Sequence, residues 1–181
     1  CKVEWEDPNR SVAAWALRAG GAAGLSTPRG FVQVGPGGPL PDGTFSIKGL
    51  DLGGLRPVAD ADVRRVAALP DLDTLVLSGT SVTDAGVAHL AALPRLDALY
   101  LANLPVTDAG LRPLKKFSLL KLHLGGTKVT DASVPLLAGF DKLDELNLFG
   151  TAVTDDGLRG LGTLAALRKL VLTGTGATDP G

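Results

Sequence analysis

Methionine is absent from the 181 residues, and cysteine and tyrosine occur once each. A lone Cys1 builds neither an internal disulfide framework nor a cysteine-based zinc site, so the redox compartment stays open. His89 and His123 have no cysteine or second histidine at metal spacing and read as surface residues. The few serines form no GxSxG or Ser/His/Asp arrangement, and no motif requires a cofactor or a metal, so the chain reads as a non-enzyme. Lysine and arginine (18) nearly balance aspartate and glutamate (19) and form no run, which removes the electrostatic footprint that nucleic acid or an anionic membrane surface requires. No apolar run approaches the ~20 residues of a membrane span.

Without methionine, Cys1 is not a translation start. Two explanations follow: a fragment of a longer chain, or a mature bacterial lipoprotein acylated at Cys1. Gly181 stops two residues after Thr178-Asp179, where a helix is due, which favours a fragment with an incomplete last repeat.

What the chain does have is a period. Val58, Val82, Val106, Val129, Val153 and Ala177 fall 24, 24, 23, 24 and 24 residues apart, each followed by Ala-Asp or Thr-Asp. A fixed spacing of that length predicts a solenoid. Leu75/Leu77, Leu99/Leu101, Leu122/Leu124, Leu146/Leu148 and Leu170/Leu172 are i, i+2 pairs, which share one face of a strand. Beyond the anchor the spacing becomes i, i+3, i+6, as in Val87, Leu90 and Leu93, or Leu111, Leu114 and Phe117, which is one stripe of a short helix. The Thr-Asp pairs at 83–84, 107–108, 130–131 and 154–155 stand where a hydroxyl or carboxylate caps that helix, and capping accounts for the aspartate column better than a row of calcium sites. Pro113 and Pro135 predict short or partly 3₁₀ helices in two repeats. Strands ~4.8 Å apart on one side and helices ~8–10 Å apart on the other curve the stack, strands inside.

The segment LxxLxLxxTxVTDAGLxxLxxL resembles the leucine-rich repeat, in the variety found in bacterial repeat proteins and similar to the repeats of F-box proteins. The resemblance covers about Phe45 to Gly181. It implies an α/β fold: a right-handed solenoid with a parallel concave sheet and short convex helices, used for binding protein. It also implies that Thr80, Thr127, Thr151 and Thr175 hydrogen-bond the turn backbone of adjacent repeats, with Leu104 interrupting that ladder.

Ahead of the repeats, residues 1–6 read as linker and residues 7–44 as an N-terminal cap. Asp7-Pro8 opens a helix whose stripe is Val12, Trp15, Ala16 and Ala19, ending at Gly20-Gly21. Ala22–Leu25 and Phe31–Val34 flank a turn and suit a hairpin, with Trp15 and Phe31 expected to cover the open core of the first repeat. The loop Gly35–Gly43 lacks the following helix and the lysine of a phosphate loop and reads as a plain loop. Leu52 to Val58 is one residue longer than Leu77 to Val82, so that turn should bulge. This order of elements also resembles bacterial proteins that carry such repeats after a serine/threonine kinase and a membrane span.

Residues alternating with the buried leucines face the concave side. The middle column is Asp51, Val76, Tyr100, His123, Asn147 and Val171. Before it run Thr74, Ala98, Lys121, Glu145 and Lys169; after it, Ser78, Ala102, Gly125, Phe149 and Thr173. Exposed aromatics concentrate at interface centres, so the expected site is Tyr100, His123, Asn147 and Phe149, with Lys121 and Glu145 beside them. Six strands span only ~24 Å and offer ~300 Å² in plan, which suits a peptide or small loop. The expected function is a protein- or peptide-binding module of a bacterial protein, without nucleic acid or membrane insertion. Two alternatives stand beside it: the sensor or scaffold part of a receptor-like kinase, and a structural envelope lipoprotein. The first and last imply an extracytoplasmic place, and a cytoplasmic one stays open.

Overall fold

The computed structural model describes residues 7–178. The linker expected at 1–6, Cys1, and the helix due after Thr178 lie outside them. In chain order the elements are α1 (Pro8–Ala19), β1 (Ala22–Thr27), β2 (Gly30–Val34), β3 (Ser46–Asp51), α2 (Asp60–Val66), β4 (Thr74–Val76), α3 (Asp84–His89), β5 (Ala98–Tyr100), α4 (Asp108–Leu111), β6 (Lys121–His123), α5 (Val134–Leu137), β7 (Glu145–Asn147), α6 (Asp155–Leu161) and β8 (Lys169–Val171). From β3 to β8 each strand pairs parallel with the next, in an open sheet with the helices on the other side. Leu50, Leu75, Leu99, Leu122 and Leu146 lie in one register row and are 0–1% exposed, as are the partners two residues on. Each such leucine contributes ~1.5–3 kcal/mol of burial that its own repeat cannot supply alone. At the far end Leu170 is 38% exposed, because no further strand lies beyond β8 among the described residues.

The cap departs from expectation in two places. Its hairpin continues the sheet: β1 pairs antiparallel with both β2 and β3, so among the described residues the sheet has eight strands, of which β1 alone runs against the others. Phe31 does not cover the core; it is 66% exposed, and its ring lies over Gly24, where a Cβ would come within 2.7 Å of it. The cover is Val12, Ala13, Ala16 and Leu17 of α1 with Ala23, Leu25 and Val34 of the hairpin. Trp15 packs half-buried against that core, as expected, beneath the Arg65 guanidinium at 5.7 Å, and Ala19 is exposed. As the sequence indicates, Asp7 caps α1 by accepting the Asn9 amide, and Gly20 ends it at φ 99°. The Gly35–Gly43 loop is tied down by Arg10, which donates to the carbonyls of Pro41 and Gly43.

Short helices are general here. α4 gives way to a 3₁₀ turn at Arg112–Lys116, which holds Pro113, and a 3₁₀ turn at Asp131–Ser133 precedes α5, which holds Pro135. Yet α3 tightens to 3₁₀ at Leu90–Ala92 without proline, so proline is not the only cause. The long first turn is resolved by two successive bonds, Leu55 N–H to Leu52 O and Val58 N–H to Leu55 O, which return Val58 to its buried column.

Both polar columns act differently from the sequence reading. Thr80, Thr127 and Thr151 donate to Leu77, Leu124 and Leu148 of their own turns, at 2.6–2.8 Å, so they brace the turn within a repeat and do not bridge repeats. In the second repeat Asn103-Leu104 replaces Gly-Thr: Leu104 fills the slot, 2% exposed, and Asn103 takes the positive φ (57°) that glycine holds elsewhere. The bridge between repeats is the aspartate column. Thr83, Thr107 and Thr130 cap their own helices by accepting an amide from Ala85, Ala109 and Ala132. Each aspartate instead accepts both the amide and the hydroxyl of the corresponding threonine one repeat on: Asp60 from Thr83, Asp84 from Thr107, Asp108 from Thr130, Asp131 from Thr154 and Asp155 from Thr178, at 2.6–2.9 Å.

This clamp explains the glycine of the Thr-Asp-Ala-Gly motif. A Cβ on Gly86, Gly110 or Gly157 would run into the aspartate carboxylate of the preceding repeat. Ser133 stands in that column in the third repeat, and its hydroxyl donates to Asp108 instead. In the first repeat, where no earlier carboxylate reaches the cap, Asp62 accepts the Ala59 amide from within the helix. Partial burial works against the charge of Asp108, but the Ser133 hydroxyl and the Thr130 amide and hydroxyl hold its pKa below the ordinary 3.8. A depressed folded pKa gives stability that is present above pH ~3.8 and lost as pH falls through the folded value.

Two substitutions test the clamp in denaturant melts. Asp108→Ala leaves three donors without their acceptor and is expected to cost ~1–3 kcal/mol. Gly110→Ala, a change that ordinarily stabilises a helix by ~0.5–1 kcal/mol, is expected to destabilise, because the Asp84 carboxyl carbon sits 2.7 Å from the new Cβ. A neutral or stabilising Gly110→Ala contradicts the close approach.

Candidate functional site

The alternation of the strands delivers the expected columns. Asp51, Val76, Tyr100, His123, Asn147 and Val171 form one register row across β3 to β8, and Thr74, Ala98, Lys121, Glu145 and Lys169 form the next. Main-chain bonds past the strands, from Asn103 to Gly125, Gly126 to Phe149 and Gly150 to Thr173, hold the third column in line. Tyr100, His123 and Asn147 are therefore neighbours, with Lys121 and Glu145 one row away. Tyr100 and Phe149 stand two strands apart, ~10 Å across the sheet, and do not touch as one patch.

Four of these side chains are already engaged. The Tyr100 and His123 rings meet edge to face at 4.5 Å, and His123 Nε2 lies 3.0 Å from Glu145 Oε1. Lys169 Nζ donates to the same oxygen at 2.6 Å, and Lys121 Nζ lies 3.7 Å from Oε2. The alternating charges of this column thus converge on the Glu145 carboxylate, whose side chain is 12% exposed. The Lys169 hydrogen bond outweighs partial burial and, with His123, holds the Glu145 pKa below its ordinary 4.5. The same bond raises that of Lys169.

Asn147 Oδ1 accepts the Phe149 amide at 2.9 Å, which fixes the strand end and leaves the Asn147 NH₂ to face solvent. Phe149 is the most exposed large apolar residue of the described repeats, at 51%; its Cβ borders Gly125 and its ring edge reaches toward Gly174. His89 lies on a helix, away from this face.

Sequence reasoning missed the near end of the face. Because the hairpin extends the sheet, Phe31 and Gln33 stand on the concave side, and between them and Val76 lies an open groove of about 530 Å³. Its floor is bare backbone at Gly24 and Gly49, and Lys48, Thr74 and Arg95 line it. The signal was present in the pairing of Phe31 and Gln33 against Ser26 and Gly24, opposite in face to Leu25 and Val32. Among the described residues no cluster of histidine, cysteine, aspartate and glutamate is placed to hold a metal, and no helix is long and apolar enough to cross a membrane.

Comparison with known proteins agrees with this geometry. A leucine-rich repeat family model matches residues 142–162. An internalin C2 of Listeria monocytogenes is similar in structure at 19% identity, with a TM-score of 0.50 over 75% of each chain. An internalin of the same organism aligns over 65% of this chain and 46% of its own, at 22% identity and a TM-score of 0.40. No curated protein matches by sequence. The repeat, the solenoid and this match agree on a leucine-rich repeat fold.

The Glu145 centre generates a titration test. Its depressed pKa means stability present above pH ~4.5 and lost as pH falls through the folded value. Carboxyl carbon NMR is expected to place Glu145 below 4.5 in the native chain and closer to 4.5 in Lys169→Ala. A native value at or above 4.5 contradicts the hydrogen-bonded arrangement.

Proposed function

We propose that the chain is a protein-interaction module whose concave face holds an extended segment of a partner protein. The observation that carries this reading is Phe149: an aromatic ring half-exposed on the concave face, more open than any other large apolar side chain of the described repeats. In this reading Phe149 and Tyr100 are the apolar anchors and the Asn147 amide donates between them. The carboxylate centre at Glu145, with Lys121 and His123, presents charge already fixed in place. A network satisfied before binding loses little freedom on binding, which favours specificity and on-rate over bulk affinity.

Size supports a segment over a globular partner. Eight strands at ~4.8 Å span ~34 Å, and a face ~10–15 Å deep gives ~340–500 Å² in plan. The hairpin enlarges the earlier six-strand figure, but the area stays under the ~800 Å² per partner of a standard interface.

Selection of a displayed random peptide library against the chain supplies a probe. Tyr100→Ala and Phe149→Ala are each expected to weaken a selected peptide by more than ~1 kcal/mol while the melting temperature holds. Unchanged affinity when both substitutions are combined, with loss on Arg112→Ala on the helical side, would place binding on the other face.

A further inference from the structure

Among the described residues the sheet ends at β2 and at β8, and the two edges are guarded unequally. Exposed edges ordinarily carry a charge, a proline or a bulge that stops another chain from pairing. β8 is three residues long and carries Lys169 next to Arg168. β2, Gly-Phe-Val-Gln-Val, is five residues long, uncharged, free of proline, and in unbroken register with β1. Phe31 is 66% and Val32 39% exposed.

The register decides which backbone groups face outward. Only Pro28 and Arg29 separate Thr27 from Gly30, so that pair exchanges both of its hydrogen bonds. Leu25↔Val32 and Ala23↔Val34 then do the same, and Phe31 and Gln33 aim their N–H and C=O groups away from β1. Among the described residues no other main chain bonds them. The loop that follows is drawn toward α1 instead, through the Gly37 amide to Leu17 O and through Arg10.

That outward pattern is self-complementary. An identical strand laid antiparallel about a two-fold axis through Val32 sets Phe31 against the second copy's Gln33, and Gln33 against its Phe31. The arrangement closes four N–H···O=C bonds and opposes no like charges. On the concave face each phenyl ring packs on the stem of the facing glutamine. On the other face the two valines meet beside a cavity of about 590 Å³ bordered by Val32, Pro28 and Pro41.

We propose that β2 is a homotypic docking edge, at which a second copy of this chain adds its own β2 and joins the two sheets. Five paired residues cover well under the ~800 Å² per partner of a stable interface, so the association is reversible and appears at high concentration. It is independent of the concave reading.

Sedimentation velocity on the 181-residue chain, from about 10 μM to about 1 mM, tests this. A monomer-to-dimer shift is expected within that range. Gln33→Pro removes only an outward N–H, which an edge strand tolerates; it should raise the dissociation constant at least about tenfold with little change in the thermal melt. Val32→Lys, which opposes two lysines across the axis, should do the same, whereas Leu170→Lys at the other edge should leave the dimer intact. A chain that stays monomeric throughout, or a dimer that survives Gln33→Pro and Val32→Lys, overturns the proposal.

Discussion

No repeat of this chain covers its own leucines, so everything depends on how one repeat is registered on the next. Apolar contact alone sets that register loosely, because leucine on leucine is tolerant of small slips. Two directional systems remove the tolerance. On the concave side parallel strand pairing runs from β3 to β8. On the helical side each aspartate closes on the amide and hydroxyl of the following capping threonine. Both bonds are absent from an isolated repeat, so much of the stability resides between neighbours, as expected of a quasi-one-dimensional fold.

The solenoid was legible because its signals are local and repeated: the i, i+2 leucines and the i, i+3 stripes recur at one period. The columns of the concave face followed from alternation alone, and the register of Tyr100, His123 and Asn147 agrees with it. What the sequence concealed were contacts between residues about 23 positions apart. Asp84 looks like a helix cap in one repeat and becomes a clamp only when Thr107 of the next is set beside it. The glycine of the motif looks like a poor helix former until that carboxylate occupies its Cβ position. Phe31 was assigned to the core because it is large and apolar, whereas hairpin pairing puts it on the open face.

These constraints shape the face that is left to bind. The turn threonines and the strand-end bond from the Phe149 amide to Asn147 fix where the third column points, and the convergence on Glu145 fixes the first. Concave residues outside those bonds are unconstrained by the fold. Side-chain identity there can vary without disturbing the leucine rows, which is how one scaffold presents different surfaces.

The central claim is that the aspartate column joins repeats and does not merely start helices. Native-state hydrogen exchange at neutral pH on the amides of Thr107, Thr130 and Thr154 tests it most directly. An amide at a helix-capping position has no partner within its own helix. If each is bonded to the preceding repeat's carboxylate, these amides exchange as slowly as the strand-end amides of Leu101 and Leu124, which pair with His123 and Asn147 of the next repeats. Exchange of the three threonines at the rate of an exposed loop amide, while Leu101 and Leu124 stay protected, would contradict the account.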